Sequence, residues 1–155
     1  MENNNGIITI GHKMPEFEME AYDPSKRCFT KFNLKDSIKA KKWTVMVYYP
    51  ADFTFVCPTE LADLADYHKE LTNLGVNVVS VSADSKFVHM AWRDSEKLLK
   101  DVNYLMLTDA EGKIAKKLGV YDEKASVPYR ATIIINPEGI VVGIEVNANN
   151  VGRNM

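Results

Sequence analysis

Apolar residues in this chain fall into blocks separated by polar, turn-rich stretches, and the spacing within each block predicts its structure. Residues 43–49, from Trp43 to Tyr49, form a largely apolar run that stops at Pro50 and reads as a buried strand. Leu61, Leu64, Ala65, His68 and Leu71 then recur at intervals of three and four. They predict a helix beginning near Cys57, with Pro58 at its first position, and ending about Leu74 before a Gly75 cap. The β-branched block 76–82 reads as a second core strand. Asp84 or Ser85 can cap a helix running to about Ser95. A short strand at 105–108, a turn at 109–112 and a short helix ending near Gly119 follow. Residues 132–136 and 140–146 form a hairpin across Asn136, Pro137, Glu138 and Gly139, a turn that takes Pro early and Gly at a left-handed position. Upstream, residues 15–34 contain two short extended pieces around a turn at 23–26.

Strand, helix, strand, helix, strand and antiparallel hairpin give an α/β chain with a mixed central sheet flanked by helices. That order is compatible with a thioredoxin-like fold carrying an N-terminal hairpin extension, and the pattern alone leaves flavodoxin-like arrangements open. The 155 residues suffice for one domain with a real core, so residues 1–155 are expected to form a single unit.

Composition narrows the partners more than the chemistry. Apolar residues at 46% and charged residues at 26% are ordinary for a globular protein. A net charge of −2 shows no basic excess, so nucleic acid is not an expected partner. The densest basic stretch, Lys39, Lys41 and Lys42, reads as a solvated turn. Residues 1–6 lack the basic and apolar segments of a signal peptide, and no run is long enough to cross a membrane. The two cysteines, Cys28 and Cys57, make no disulfide framework, so a reducing cytoplasm is the default compartment. His12, His68 and His89 have no metal-ligand spacing with either cysteine, and His68 falls on the apolar face of the predicted helix.

Cys57 carries the sharpest chemical signal. At a helix start, unpaired N–H groups and the positive end of the helix dipole favour an anion, so this position suits a thiolate. Without its context, a lone cysteine would be a small buried packing residue.

The context is Pro50, three residues, Thr54, two residues, Cys57, within the string 49–61. It resembles the active-site signature of peroxiredoxins, specifically the alkyl hydroperoxide reductase C or typical 2-Cys branch. The likeness continues through 78–84, 89–92, 130–137 and 139–153. It implies a thioredoxin-like fold and a thiol peroxidase that reduces hydrogen peroxide and organic hydroperoxides through a Cys57 sulfenic acid. It also implies that Thr54 hydrogen-bonds the peroxide and that Pro50 shields the thiolate. Arg130 would supply the cation, Glu60 would hold Arg130, and Arg153 would support Glu60. Trp92 would pack beside the active-site loop. Read locally, Glu60 is also a first-turn carboxylate favoured by the helix dipole, and Thr54 a candidate N-cap.

No metal, flavin or haem is implied. The electron donor would be thioredoxin, glutaredoxin or a flavoprotein reductase, and the assembly a homodimer or a decamer ring built from such dimers. The family continues past the segment matching Gly152 and Arg153 into a helix and a tail with a resolving cysteine. Here only Cys28 remains, in an early extended segment where the family has no resolving thiol, and it reads as a packing residue. A short one-cysteine variant and a truncated two-cysteine enzyme both stay open. A redox-sensing or chaperone-type protein using the same cysteine is the alternative function. A thiol–disulfide oxidoreductase is disfavoured, because Cys57 is not followed by the second cysteine of a Cys-x-x-Cys motif.

Overall fold

A computed structural model describes residues 6–153. Two N-terminal strands, β1 (Glu18–Asp23) and β2 (Cys28–Asn33), form a hairpin, and a short helix α1 (Leu34–Lys39) follows. Then come β3 (Trp43–Tyr48), the long helix α2 (Cys57–Asn73), β4 (Val76–Ser82), α3 (Lys86–Ser95) and β5 (Leu105–Thr108). The chain closes with α4 (Lys113–Lys117), a small ribbon of β6 (Tyr121–Asp122) and β7 (Val127–Pro128), and the hairpin β8 (Arg130–Ile135) and β9 (Val141–Asn147). The seven-stranded sheet runs in the order β2-β1-β5-β4-β3-β8-β9. β3, β4 and β5 are parallel, whereas β8, β9 and the N-terminal hairpin join antiparallel. A mixed sheet of this order is the expected thioredoxin-like arrangement, and its antiparallel strands exclude the flavodoxin-like alternative.

Period-two alternation sends each strand to two separate cores. Met46 and Tyr48 of β3 join Val79, Val81, Leu107, Ile133 and Ile135 on the face covered by α4 and the N-terminal segment. Val47 and Tyr49 join Val78, Met106, Leu61, Leu64 and Trp92 on the face covered by α2 and α3. Burying one such Leu side chain contributes about 1.5–3 kcal/mol, so the stripe of α2 is enough to fix that helix on the sheet.

Most predicted boundaries agree within two residues, and the differences have local causes. Leu74 caps α2, and Gly75 follows at φ 81°. The N-terminal hairpin is not an appendage but one flank of the main sheet, through β1–β5 pairing. α1 was not anticipated: Asn33 Oδ1 accepts from Lys35 N, and this cap sustains a helix of only six residues. Pro58 sits at the second position of α2, because the helix already begins at Cys57 with Val56 as cap residue. Thr54 is therefore not the N-cap, and its hydroxyl donates instead to Ala51 O at 3.0 Å. β8 begins at Arg130, two residues earlier than the apolar run suggested. Gly139, at φ 85°, takes the left-handed position of the β8–β9 turn.

Candidate active site

The site lies where β3 ends and α2 begins. Tyr49 N still donates to Val81 O at 3.1 Å, and Pro50, with no N–H, then breaks the ladder. A loop over residues 50–56 follows, with Phe53 held at φ 58°, a left-handed conformation unusual outside glycine. Cys57 is the first residue of the seventeen-residue α2 and is fully buried. Its thiol therefore sits at the positive end of the α2 dipole, although Pro58 has no N–H and Thr59 N and Glu60 N already donate to Val56 O.

β8 delivers the cation. Tyr48 pairs with Ala131, so Arg130 lies one position further on, beside the departing loop. Arg130 Nη1 donates to Cys57 Sγ at 3.3 Å and to Glu60 Oε1 at 2.7 Å, and Nε donates to Asn149 O at 3.0 Å. Among the described residues Nη2 finds no acceptor, which leaves two N–H groups of this buried guanidinium able to donate.

Glu60 is held in turn by Arg153. The Arg153 backbone N and Nε donate to Oε2 at 2.8 and 2.9 Å, and Nη2 donates to Oε1 at 3.2 Å. Arg153 Nη2 also donates to Tyr48 O at 2.5 Å, which ties this arginine to the end of β3. Burial alone would raise the Glu60 carboxyl, but hydrogen bonds and charge from Arg153, together with Arg130, outweigh it and hold Glu60 below the ordinary glutamate value. Its contribution to stability is thus present above the unfolded value and is lost as pH falls through the depressed one. Burial tends to lower Arg130, but attraction to Cys57 and hydrogen bonds to Cys57 and Glu60 raise it, so it stays charged. With Cys57 as thiolate, two guanidinium cations face two anions, and the cluster is neutral as a whole.

The predicted site residues occupy one neighbourhood with distinct placements. Cys57, Arg130, Glu60 and Arg153 form the continuous hydrogen-bonded chain just described. Thr54 and Pro50 are half-buried in the loop leading into α2. With its proton given to Ala51 O, the Thr54 oxygen keeps its accepting capacity. Trp92 is buried and packs on Tyr49 and Phe53, with ring centroids 5.8 and 6.2 Å apart. His68 packs edge-on against Tyr104 and is half-buried. Cys28 is exposed, not a packing residue.

A buried polar group beneath the loop went unread in the sequence. His89 Nδ1 lies 2.6 Å from Asp52 Oδ2, His89 Nε2 lies 2.9 Å from Leu107 O, and Tyr49 Oη donates to Asp52 Oδ1 at 2.5 Å. Asp52 and His89 are 37 positions apart, a distance at which no spacing rule pairs them. The one available signal was an aspartate set between Ala51 and Phe53 in the active-site string. Among the described residues no cluster of His, Cys, Asp and Glu could hold a metal ion, and no helix is long and apolar enough to cross a membrane.

The AhpC/TSA family pattern matches residues 10–144. Alkyl hydroperoxide reductase C of Staphylococcus haemolyticus is 43% identical over 144 residues, 93% of this chain and 75% of that protein. The same protein of Staphylococcus aureus is 42% identical over the same shares. Among solved structures, AhpC of Enterococcus faecalis superposes with a TM-score of 0.89 at 40% identity, covering 96% of this chain and 86% of that one. The reduced 2-Cys peroxiredoxin of Plasmodium vivax gives 0.86 at 32% identity, over 94% and 75%. A family pattern across most of the chain, relatives above 40% identity and a shared fold agree: the chain belongs to the AhpC/TSA family.

Proposed function

We propose that this protein is a thiol peroxidase in which Cys57 reduces peroxides. The observation that carries this reading is the single Nη1 of Arg130 bridging Cys57 Sγ and Glu60 Oε1 at 3.3 and 2.7 Å. That arrangement sets a cation against the reacting sulfur and leaves Nη2 to bind a peroxide oxygen. The thiolate attacks one oxygen of the O–O bond, and the bond breaks. The sulfur becomes sulfenic acid, and the other oxygen departs as water or alcohol after taking up a proton. Arg130 stabilises the charge on the leaving oxygen, Thr54 accepts from the peroxide O–H, and Pro50 limits water access. Glu60 and Arg153 hold Arg130 in place, and Trp92 backs the loop. A thiol donor such as thioredoxin, glutaredoxin or a flavoprotein reductase returns the sulfenate to thiol.

Cys28 does not serve as the resolving thiol within one chain. Between β2, which carries Cys28, and β3, which leads to Cys57, lie β1, β5 and β4. Four strand spacings of about 4.8 Å put them about 19 Å apart, against the ~7 Å Cα limit of a disulfide. One equivalent of peroxide without reductant is therefore expected to leave a Cys57 sulfenic acid that dimedone traps, as read by mass spectrometry of a digest. With excess dithiothreitol the same protein should consume many equivalents. A redox sensor would stop after about one equivalent, and that outcome would replace the enzyme reading.

A homodimer is part of the same reading. β9 ends the sheet, and beyond Val141, which bonds to Gly11 and His12, its outer edge has no strand partner among the described residues and exposes Val142 and Val146. Such an edge pairs readily with the same strand of a second copy about a two-fold axis. Light scattering at micromolar concentration is expected to give at least twice the chain mass, and a decamer of five dimers would show in the same measurement. A monomer mass would refute the pairing.

A further inference from the structure

The buried Asp52–His89 pair does not touch Cys57, yet it is the fastening of the loop that leads there. Both side chains are fully buried. Leu107 O can only accept, so His89 Nε2 carries a hydrogen and donates to it. Nδ1 must then share one proton with Asp52 Oδ2, as imidazolium against carboxylate or as imidazole against carboxylic acid. Asp52 accepts on its other oxygen from Tyr49 Oη, and its backbone N donates to Asp84 Oδ2 at 2.8 Å. Ser82 Oγ donates to the same Asp84 oxygen at 2.7 Å. One loop residue is thus bound to Tyr49 just past β3, to Asp84 just past β4 and to His89 of α3, and through His89 to β5.

No other side chain in 50–56 ties the loop by hydrogen bond to another element among the described residues, because Thr54 bonds within the loop. Phe53, next to Asp52, holds a left-handed backbone that its surroundings must enforce. Thr54 and Cys57 follow directly. We propose that Asp52 and His89 are positioning residues for peroxide reduction, clamping the 50–56 loop in the conformation that aims Thr54 and the first turn of α2 at the substrate. The inference rests on the peroxidase reading for its kinetic consequence but not for the clamp itself.

Asp52→Ala and His89→Phe remove the clamp. Asp52→Asn retains it, because its amide N–H can donate to a neutral His89 and its carbonyl can accept from Tyr49 Oη. For the first two, the rate constant of Cys57 oxidation by hydrogen peroxide is expected to fall about 10- to 100-fold, the scale of a misplacement near 1 Å. Iodoacetamide alkylation of Cys57 should not fall, since Arg130 and Glu60 are untouched. Amide hydrogen exchange in 50–56 should quicken about tenfold or more, the scale of local opening. Asp52→Asn should recover most of the rate and of the protection. Unchanged oxidation rates, unchanged loop exchange, or Asp52→Asn failing as badly as Asp52→Ala would each overturn the clamp. If the wild-type protein consumed no peroxide, the peroxidase reading would fall, and loop exchange alone would still decide the clamp.

Discussion

Cys57→Ser is expected to abolish peroxide consumption while leaving the folded state and its circular dichroism unchanged. Serine nearly matches cysteine in size and can still accept from Arg130 Nη1 within the same buried position. Its hydroxyl does not ionise near neutral pH and lacks the soft sulfur that attacks an O–O bond. Peroxide loss measured with excess dithiothreitol should drop to the uncatalysed rate. Retention of more than a few per cent would move the chemistry to Cys28, the only other thiol in the chain.

Arg130→Met is expected to lower peroxide reactivity at neutral pH by orders of magnitude. Methionine keeps much of the side-chain volume but removes the charge and every donor. Loss of one preorganised donor costs about 10²–10³ in rate at comparable sites, and loss of the adjacent cation also cuts the share of sulfur present as thiolate. The fold should survive, because Glu60 retains its three hydrogen bonds from Arg153. Alkylation by iodoacetamide across a pH series reads the thiolate directly, and its profile should move to higher pH. A profile that stays in place would remove Arg130 from the thiolate's surroundings.

Local signals carried well where a single element decides its own structure. The β-branched run gave Val76–Ser82, and the short apolar block gave Leu105–Thr108, both at their observed ends. The helix of Cys57 was legible because its apolar stripe runs for several turns and ends at a glycine. Six-residue α1 and the two-residue strands of the β6–β7 ribbon are too short for any period to show. For the site, motif resemblance pointed to Cys57 and Arg130, although Arg130 alone looks like a surface arginine. The resemblance also paired Glu60 with Arg130 and Arg153, but other bonding partners were not conveyed. Asp52 with His89, and Arg153 with Tyr48, are pairings that exist only after the sheet has brought distant segments together.

The chain of contacts from Cys57 through Arg130 and Glu60 to Arg153 sets an order of assembly. Arg130 meets Cys57 across 73 positions, and Arg153 meets Glu60 across 93. Contacts of such long range form late, because the intervening chain must be ordered before they close. During synthesis, α2 leaves the ribosome with its cysteine and its glutamate well before either arginine exists. A nascent chain therefore carries an ordinary thiol near a carboxylate, and the reactive sulfur is created only when β8, β9 and the segment after them dock.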